Sequence, residues 1–177
     1  MDKDETHKFK VEKVCQIGVV VKDLDKVVQN WSNLFGFGPW TFYDDRGIRV
    51  ASVFVGPIQF ELMQPVEGQS LEGHPLEKEG KLYRKYLEAW GDGVHHIAFG
   101  VDDVKAEASN LSAQGATVLT QEPNGQWAYI ESAGPGSVIF ELMPLSSYES
   151  IKERGLPQFV EDYLRSLKKA GKEKNAG

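Results

Sequence analysis

Phe60-Glu61-Leu62-Met63 recurs letter for letter as Phe140-Glu141-Leu142-Met143, 80 residues further along the chain. Each copy sets a carboxylate inside a short apolar run, where an ionised group is costly unless something pairs with it. A second match lies upstream of each copy. Gln16-Ile17-Gly18-Val19-Val20-Val21 aligns with His96-Ile97-Ala98-Phe99-Gly100-Val101 at the same offset of 80. Positions 16 and 61 are therefore 45 residues apart, as are 96 and 141. Two modules share one spacing, with a ligand-capable side chain at each of four marked places.

The segments around these marks give each module the same order. Val14 to Val21 is short, β-branched and ends at Lys22-Asp23, so it reads as a strand. Asp23 is placed to cap a helix whose apolar residues, Leu24, Val27, Val28, Trp31, Leu34 and Phe35, fall at helical spacing. Gly36, Gly38 and Pro39 end it. Strands follow at Trp40 to Tyr43, Ile48 to Val55 and Ile58 to Met63, with turns at Asp44-Asp45-Arg46-Gly47 and Gly56-Pro57. In the second half the sequence predicts a strand over Val94 to Val101 and a helix from Asp102-Asp103 to about Gln114, with Gly115 as its C-terminal signal. Strands over Thr117 to Thr120, Gln126 to Ser132 and Ser137 to Met143 complete it. The expected fold class is α+β, from paired βαβββ modules over 14–64 and 93–144 that form one domain, 14–144. The 65–92 linker is long for a compact domain. It carries an expected helix from Pro75 to Trp90, with Leu82, Tyr86, Leu87 and Trp90 on it, which either covers a cavity or an oligomer seam or packs outside. Residues 145–177 form a helical extension with Phe159, Val160, Tyr163, Leu164 and Leu167 on one face, and a frayed Lys-rich end.

Strand side chains alternate between faces. Ile17, Val19 and Val21, like Ile97, Phe99 and Val101, are bulky and suit packing under helices. The other face carries Gln16, Gly18 and Val20 against His96, Ala98 and Gly100, a polar group followed mostly by small residues. Glu61 and Met63, like Glu141 and Met143, fall on one face of their strands. A lone strand Glu is normally a solvated edge residue, and a lone His a satisfied core or surface group; the repeat is what singles these four out. A pseudo-twofold axis relating the modules would bring Gln16, Glu61, His96 and Glu141 to a shared cavity. Two carboxylates, an imidazole and an amide oxygen suit a divalent cation. His95 is expected to face away from His96, and Cys15 away from Gln16 as a packed, inert thiol. His74 and His7 read as surface residues.

Bulk properties exclude several classes. The 177 residues suffice for a sizeable core, and 41% apolar with 26% charged residues describes a globular chain. A net charge of −6 without a basic stripe argues against nucleic-acid binding. The polar N-terminus and the lack of a long apolar run predict no signal peptide and no membrane span. One cysteine excludes an internal disulfide and fits a reducing, cytoplasmic setting.

Gln16 to Asp25, QIGVVVKDLD, and Gly93 to Asp103, GVHHIAFGVDD, together with the repeated FELM, make the chain resemble the vicinal-oxygen-chelate (glyoxalase-like) superfamily over about residues 14 to 144. That superfamily includes glyoxalase I, methylmalonyl-CoA epimerase, extradiol dioxygenases and bleomycin-resistance proteins, and methylmalonyl-CoA epimerases are the group most resembled. The resemblance implies Gln16, Glu61, His96 and Glu141 as ligands of a divalent metal ion (Zn, Co, Ni or Mn), a homodimer, and proton abstraction next to a carbonyl. Glu141 is the first choice of base and Glu61 the second, with Gln16 and His96 mainly holding the metal. The implied substrate is an acyl-CoA thioester or, on the glyoxalase I (lactoylglutathione lyase) alternative, a glutathione adduct.

The chain departs from the epimerase pattern twice. Those enzymes begin with His where this chain has Gln16, and the Gln, Glu, His, Glu set resembles that of some glyoxalase I enzymes. They also carry an acid/base carboxylate on the third strand, where this chain reaches Ser52 and has no Asp or Glu from Gly47 to Val55. An extradiol dioxygenase calls for two histidines and one carboxylate. A ligand-sequestering protein of the bleomycin-resistance type needs none of the four ligands. Trp127, Tyr129, Trp40 and Tyr43 are candidates to line a substrate pocket, with core packing expected for most. Arg46, Arg49, Lys81, Arg84 and Lys85 are candidates for CoA phosphates, with a solvated surface role expected.

Overall fold

The computed structural model describes residues 11–45, 47–66, 77–122, 124–131 and 138–174. The first module runs β1 (Lys13–Val20), α1 (Leu24–Phe35), β2 (Thr41–Asp45), β3 (Ile48–Val55) and β4 (Ile58–Pro65). A linker helix, α2 (Glu77–Trp90), leads to β5 (Gly93–Val101), α3 (Val104–Ala113), β6 (Thr117–Gln121), β7 (Ala128–Glu131) and β8 (Ile139–Pro144). Two helices, α4 (Leu145–Arg154) and α5 (Leu156–Lys174), end the chain. The expected βαβββ order is thus present twice. No described helix is long and apolar enough to cross a membrane.

Some boundaries shift. The strand expected from Trp40 starts at Thr41 and takes in Asp44 and Asp45, expected as turn residues, because they pair with Arg49 and Ile48. The strand expected over Gln126 to Ser132 contracts to Ala128–Glu131. The C-terminal helix divides at Gly155, whose φ of 84° is a conformation that glycine adopts without steric cost. Asp23 and Asp103 cap α1 and α3 as expected, accepting from the backbone N–H groups of Lys26 and of Lys105 and Ala106. His7, His74, Pro75 and Arg46 lie outside the described residues.

The eight strands of the described residues join one sheet in the order β2-β3-β4-β1-β5-β8-β7-β6. Its centre is the antiparallel pair β1·β5, where Ile17 faces Ile97, Gly18 faces His96 and Gln16 faces Ala98. Adding 80 to each position of this register returns the same register, so a pseudo-twofold axis passes between Ile17 and Ile97. The parallel pairs β1·β4 and β5·β8 repeat too: Gly18 pairs with Glu61, and Ala98 with Glu141.

The ladder breaks at two places, between Val14 and Gln16 and between Gly18 and Val19, where one strand contributes an extra residue. The extra residues are Cys15 and His95, which are symmetry equivalents. A β-bulge interrupts the alternation of faces. Cys15 accordingly packs with Ala98, Met143 and Tyr148 on the cavity side, and His95 packs against His96, Tyr83 and Tyr129. The expectation that each points away from its neighbour fails for this reason.

One face of the sheet carries α1 and α3. Val19, Val21, Ala51 and Leu62 pack with Leu24, and Val101, Ala128, Ile130 and Leu142 with Val104 and Ala108. The other face holds the four marked residues, with α2, α4 and α5 around them. Through Tyr83, Leu82, Tyr86 and Leu87 the linker helix joins the cluster of Val20, Val50, Met63 and Tyr129.

Candidate active site

On the face away from α1 and α3 lies a cavity of about 170 Å³ whose lining includes Gln16, Glu61 and Glu141. Strand alternation puts Gln59 on the face of Glu61, and it lines the cavity as well. His96 is fully buried beside Glu141 rather than on the cavity surface. The imidazole lies directly over Gly18. A Cβ at that position would come within 2.1 Å of His96 Cε1, so only glycine fits there.

The four residues form two halves. In the first, Gln16 donates from Nε2 to Glu61 Oε2 at 2.6 Å, while Tyr43 donates its hydroxyl proton to Oε1 at 2.5 Å. Ser52, opposite Glu61 in the β3·β4 ladder, donates to the same oxygen at 3.4 Å and accepts from Gln59 Nε2 at 3.4 Å. In the second half, His96 Nε2 lies 3.0 Å from Glu141 Oε2. The position expected to lack a strand-three acid therefore carries a buried hydroxyl that touches Glu61.

Burial pushes the Glu61 carboxyl above its ordinary range, and Glu141 adds to this. The Tyr43 and Gln16 hydrogen bonds and His96 oppose the shift. Burial, then His96, holds the His95 imidazole well below the usual histidine range, so it is neutral. His95 Nδ1 and His96 Nδ1 are 3.0 Å apart, and one of the two must carry the proton. If His96 Nε2 presents a lone pair, its Nδ1–H donates to His95 Nδ1 and the His95 proton resides on Nε2. Such a partner fixes the tautomer of a ligating histidine.

Among the described residues no three His, Cys, Asp or Glu side chains converge at metal-binding spacing; Glu61 is turned onto Tyr43 and Gln16. The donor types nevertheless fit a divalent ion. Among the described residues His96 Nε2 is buried without a hydrogen-bond partner although Glu141 is close. Two atoms about 3 Å apart that do not hydrogen-bond are spaced like neighbouring ligands on one ion at about 2.1 Å from each. Gln16 can present its oxygen by rotating its amide.

Tyr43, Trp127 and Tyr129 pack in one core cluster, as expected for most of the four aromatic candidates, and the exposed edge of that cluster also lines the cavity. Trp40 packs in the core as well, against Trp31. Arg49 pairs with Asp25 at 3.1 Å and Arg84 donates to the Val66 carbonyl at 2.9 Å, so neither is a free phosphate ligand. Lys85 is exposed on α2. Gln59 and Ser52 gain their roles from this arrangement. Gln59 was detectable in sequence as the residue two before Glu61.

A family model described as the glyoxalase/bleomycin resistance protein/dioxygenase superfamily matches residues 15–130, and the chain belongs to that superfamily. Within it, an ethylmalonyl-CoA/methylmalonyl-CoA epimerase from Cereibacter sphaeroides is 27% identical over 112 residues, covering 62% of this chain and 75% of that protein. A Streptomyces coelicolor methylmalonyl-CoA epimerase variant, solved with 2-nitronate-propionyl-CoA, aligns with TM-score 0.58 and 25% identity, covering 76% of this chain and 98% of that one. The Mycobacterium tuberculosis methylmalonyl-CoA epimerase shares the fold, with TM-score 0.56 and 23% identity over 78% of this chain and 93% of that one.

Proposed function

We propose that the protein is a metal-dependent, epimerase-like isomerase that removes a proton next to a thioester carbonyl and returns it. The observation that carries this reading is the placement of two carboxylates, Glu61 and Glu141, from equivalent strands in one cavity. Gln16, Glu61, His96 and Glu141 would hold a divalent ion. When bound, such an ion supplies positive charge to the carbonyl oxygen as electron density moves onto it.

The chain's own groups supply the rest. Glu141, 3.0 Å from His96 Nε2, takes the proton from the substrate carbon on a carboxylate oxygen. Glu61 returns a proton to that carbon, taking the part of the strand-three acid that Ser52 replaces. Tyr43 and Gln16 hold Glu61 in position until then. Met63, Met143, Trp127 and Tyr129 limit water around the reacting carbon. The glyoxalase I reading remains the second, favoured by the residue at position 16. Proton transfer in that case would convert a glutathione hemithioacetal.

The test is deuterium incorporation at C2 of methylmalonyl-CoA by the metal-loaded protein, run beside turnover of methylglyoxal with glutathione. Exchange at C2 with no hemithioacetal turnover is the expected result, and absence of both activities overturns the proposal. We also propose a homodimer. A monomeric mass by gel filtration with light scattering would overturn that.

A further inference from the structure

The two C-terminal helices lie beyond the residues that the family model matches. Their course is informative. α4 packs on β5 and β8 of the second module, while α5 reaches back to β2 of the first. Together they bridge the two modules on the cavity side of the sheet. Ile151, Leu156, Phe159, Val160 and Tyr163 thereby form an apolar wall of the same cavity that holds Glu61 and Glu141. Among the described residues lining it there is no Lys or Arg, so the wall itself offers an anionic substituent no partner. The size of the space decides the rest. An apolar cavity of about 150 Å³ accepts benzene, six heavy atoms. The present one is about 170 Å³. Subtracting a carbonyl carbon and its oxygen leaves room for about four further carbons, the reacting carbon among them, more than a methyl branch uses.

We propose that the substrate carries an uncharged apolar group of about three carbons on the reacting carbon, and that α4 and α5 form the wall selecting its size. This rests on the reading of proton abstraction next to a carbonyl, but binding tests it separately from turnover. Isothermal titration of the full chain is run with acetyl-, butyryl-, hexanoyl- and decanoyl-CoA. A parallel series uses S-methyl-, S-butyl-, S-hexyl- and S-decylglutathione. On at least one carrier, Kd is expected to fall about threefold to fourfold per added methylene, to be tightest between butyryl and hexanoyl or near hexyl, and to gain nothing further at ten carbons. Val160→Phe, which fills the space, should move the optimum to shorter chains. Phe159→Ala should move it to longer ones. A folding defect would not produce opposite shifts.

Kd independent of chain length on both carriers, or both variants failing to move the optimum, overturns the proposal. A chain-length optimum without C2 exchange or hemithioacetal turnover would leave the wall standing and remove the enzyme reading. Turnover with a flat profile would do the reverse.

Discussion

The two modules present one backbone and two sets of side chains. In the first, Glu61 accepts from Gln16, Tyr43 and Ser52, three donors that hold it in place. In the second, Glu141 faces His96 Nε2, which has no hydrogen-bond partner among the described residues. Gly18 opposes His96 because an imidazole lies over it, whereas its equivalent Ala98 opposes Gln16, whose amide is turned to Glu61. Gln59 corresponds to Ile139, and Cys15 to His95. Duplication explains why four positions meet. Divergence within it makes one half a hydrogen-bonded clamp and the other a close His96–Glu141 pair that makes no hydrogen bond.

Removing the carboxylate from each half tests this asymmetry most severely. Glu141→Gln is expected to lower C2 deuterium exchange by about 10² to 10⁴-fold, with Glu61→Gln less damaging to the exchange step than to inversion of configuration. Equal losses in both measurements would mean the halves are interchangeable. Next in size is the tautomer lock. His95→Phe keeps an aromatic ring but removes the acceptor for His96 Nδ1–H, so metal affinity by calorimetry should fall about 10- to 100-fold. An unchanged affinity would show that His96 needs no such partner.

Gly18→Ala forces a methyl group into the His96 ring, and overpacking of this kind costs about 1–3 kcal/mol in urea unfolding. The reverse exchange at the equivalent position, Ala98→Gly, meets no ring and should cost less, about 0.5–1 kcal/mol. Finding the two equal would contradict the close contact at Gly18.

The smallest effects concern titration. Burial raises the Glu61 pKa above its unfolded value of 4.5. In the metal-free protein its contribution to stability is therefore present below pH 4.5 and lost as the pH rises through the folded-state value. Urea unfolding across that window should show the slope in the native protein and not in Glu61→Gln. Cys15, the counterpart of His95, has its thiol pushed up to about 11 by burial. Iodoacetamide at pH 8 should leave it unmodified in the folded protein and alkylate it in urea, as mass spectrometry would report; rapid native labelling would place it outside the core.

The repeated tetrapeptide and the spacing of 45 sufficed to read both modules and to put Gln16, Glu61, His96 and Glu141 on one face of the sheet, because side-chain alternation is a local property of an extended chain. Glu61 and Glu141 were legible for that reason, and so was the absence of an acid at Ser52. Where alternation fails, sequence reading failed with it. The bulges at Cys15 and His95 arise from the pairing of β1 with β5, strands about 80 residues apart, and they turn both side chains into the packing on the side of the sheet that α2, α4 and α5 cover. The same holds for the apolar wall. The face of Phe159, Val160 and Tyr163 was visible as a helical stripe, but a stripe records only that something is covered. That it covers the cavity holding two glutamates depends on where α5 crosses the sheet, and contacts between distant segments decide that.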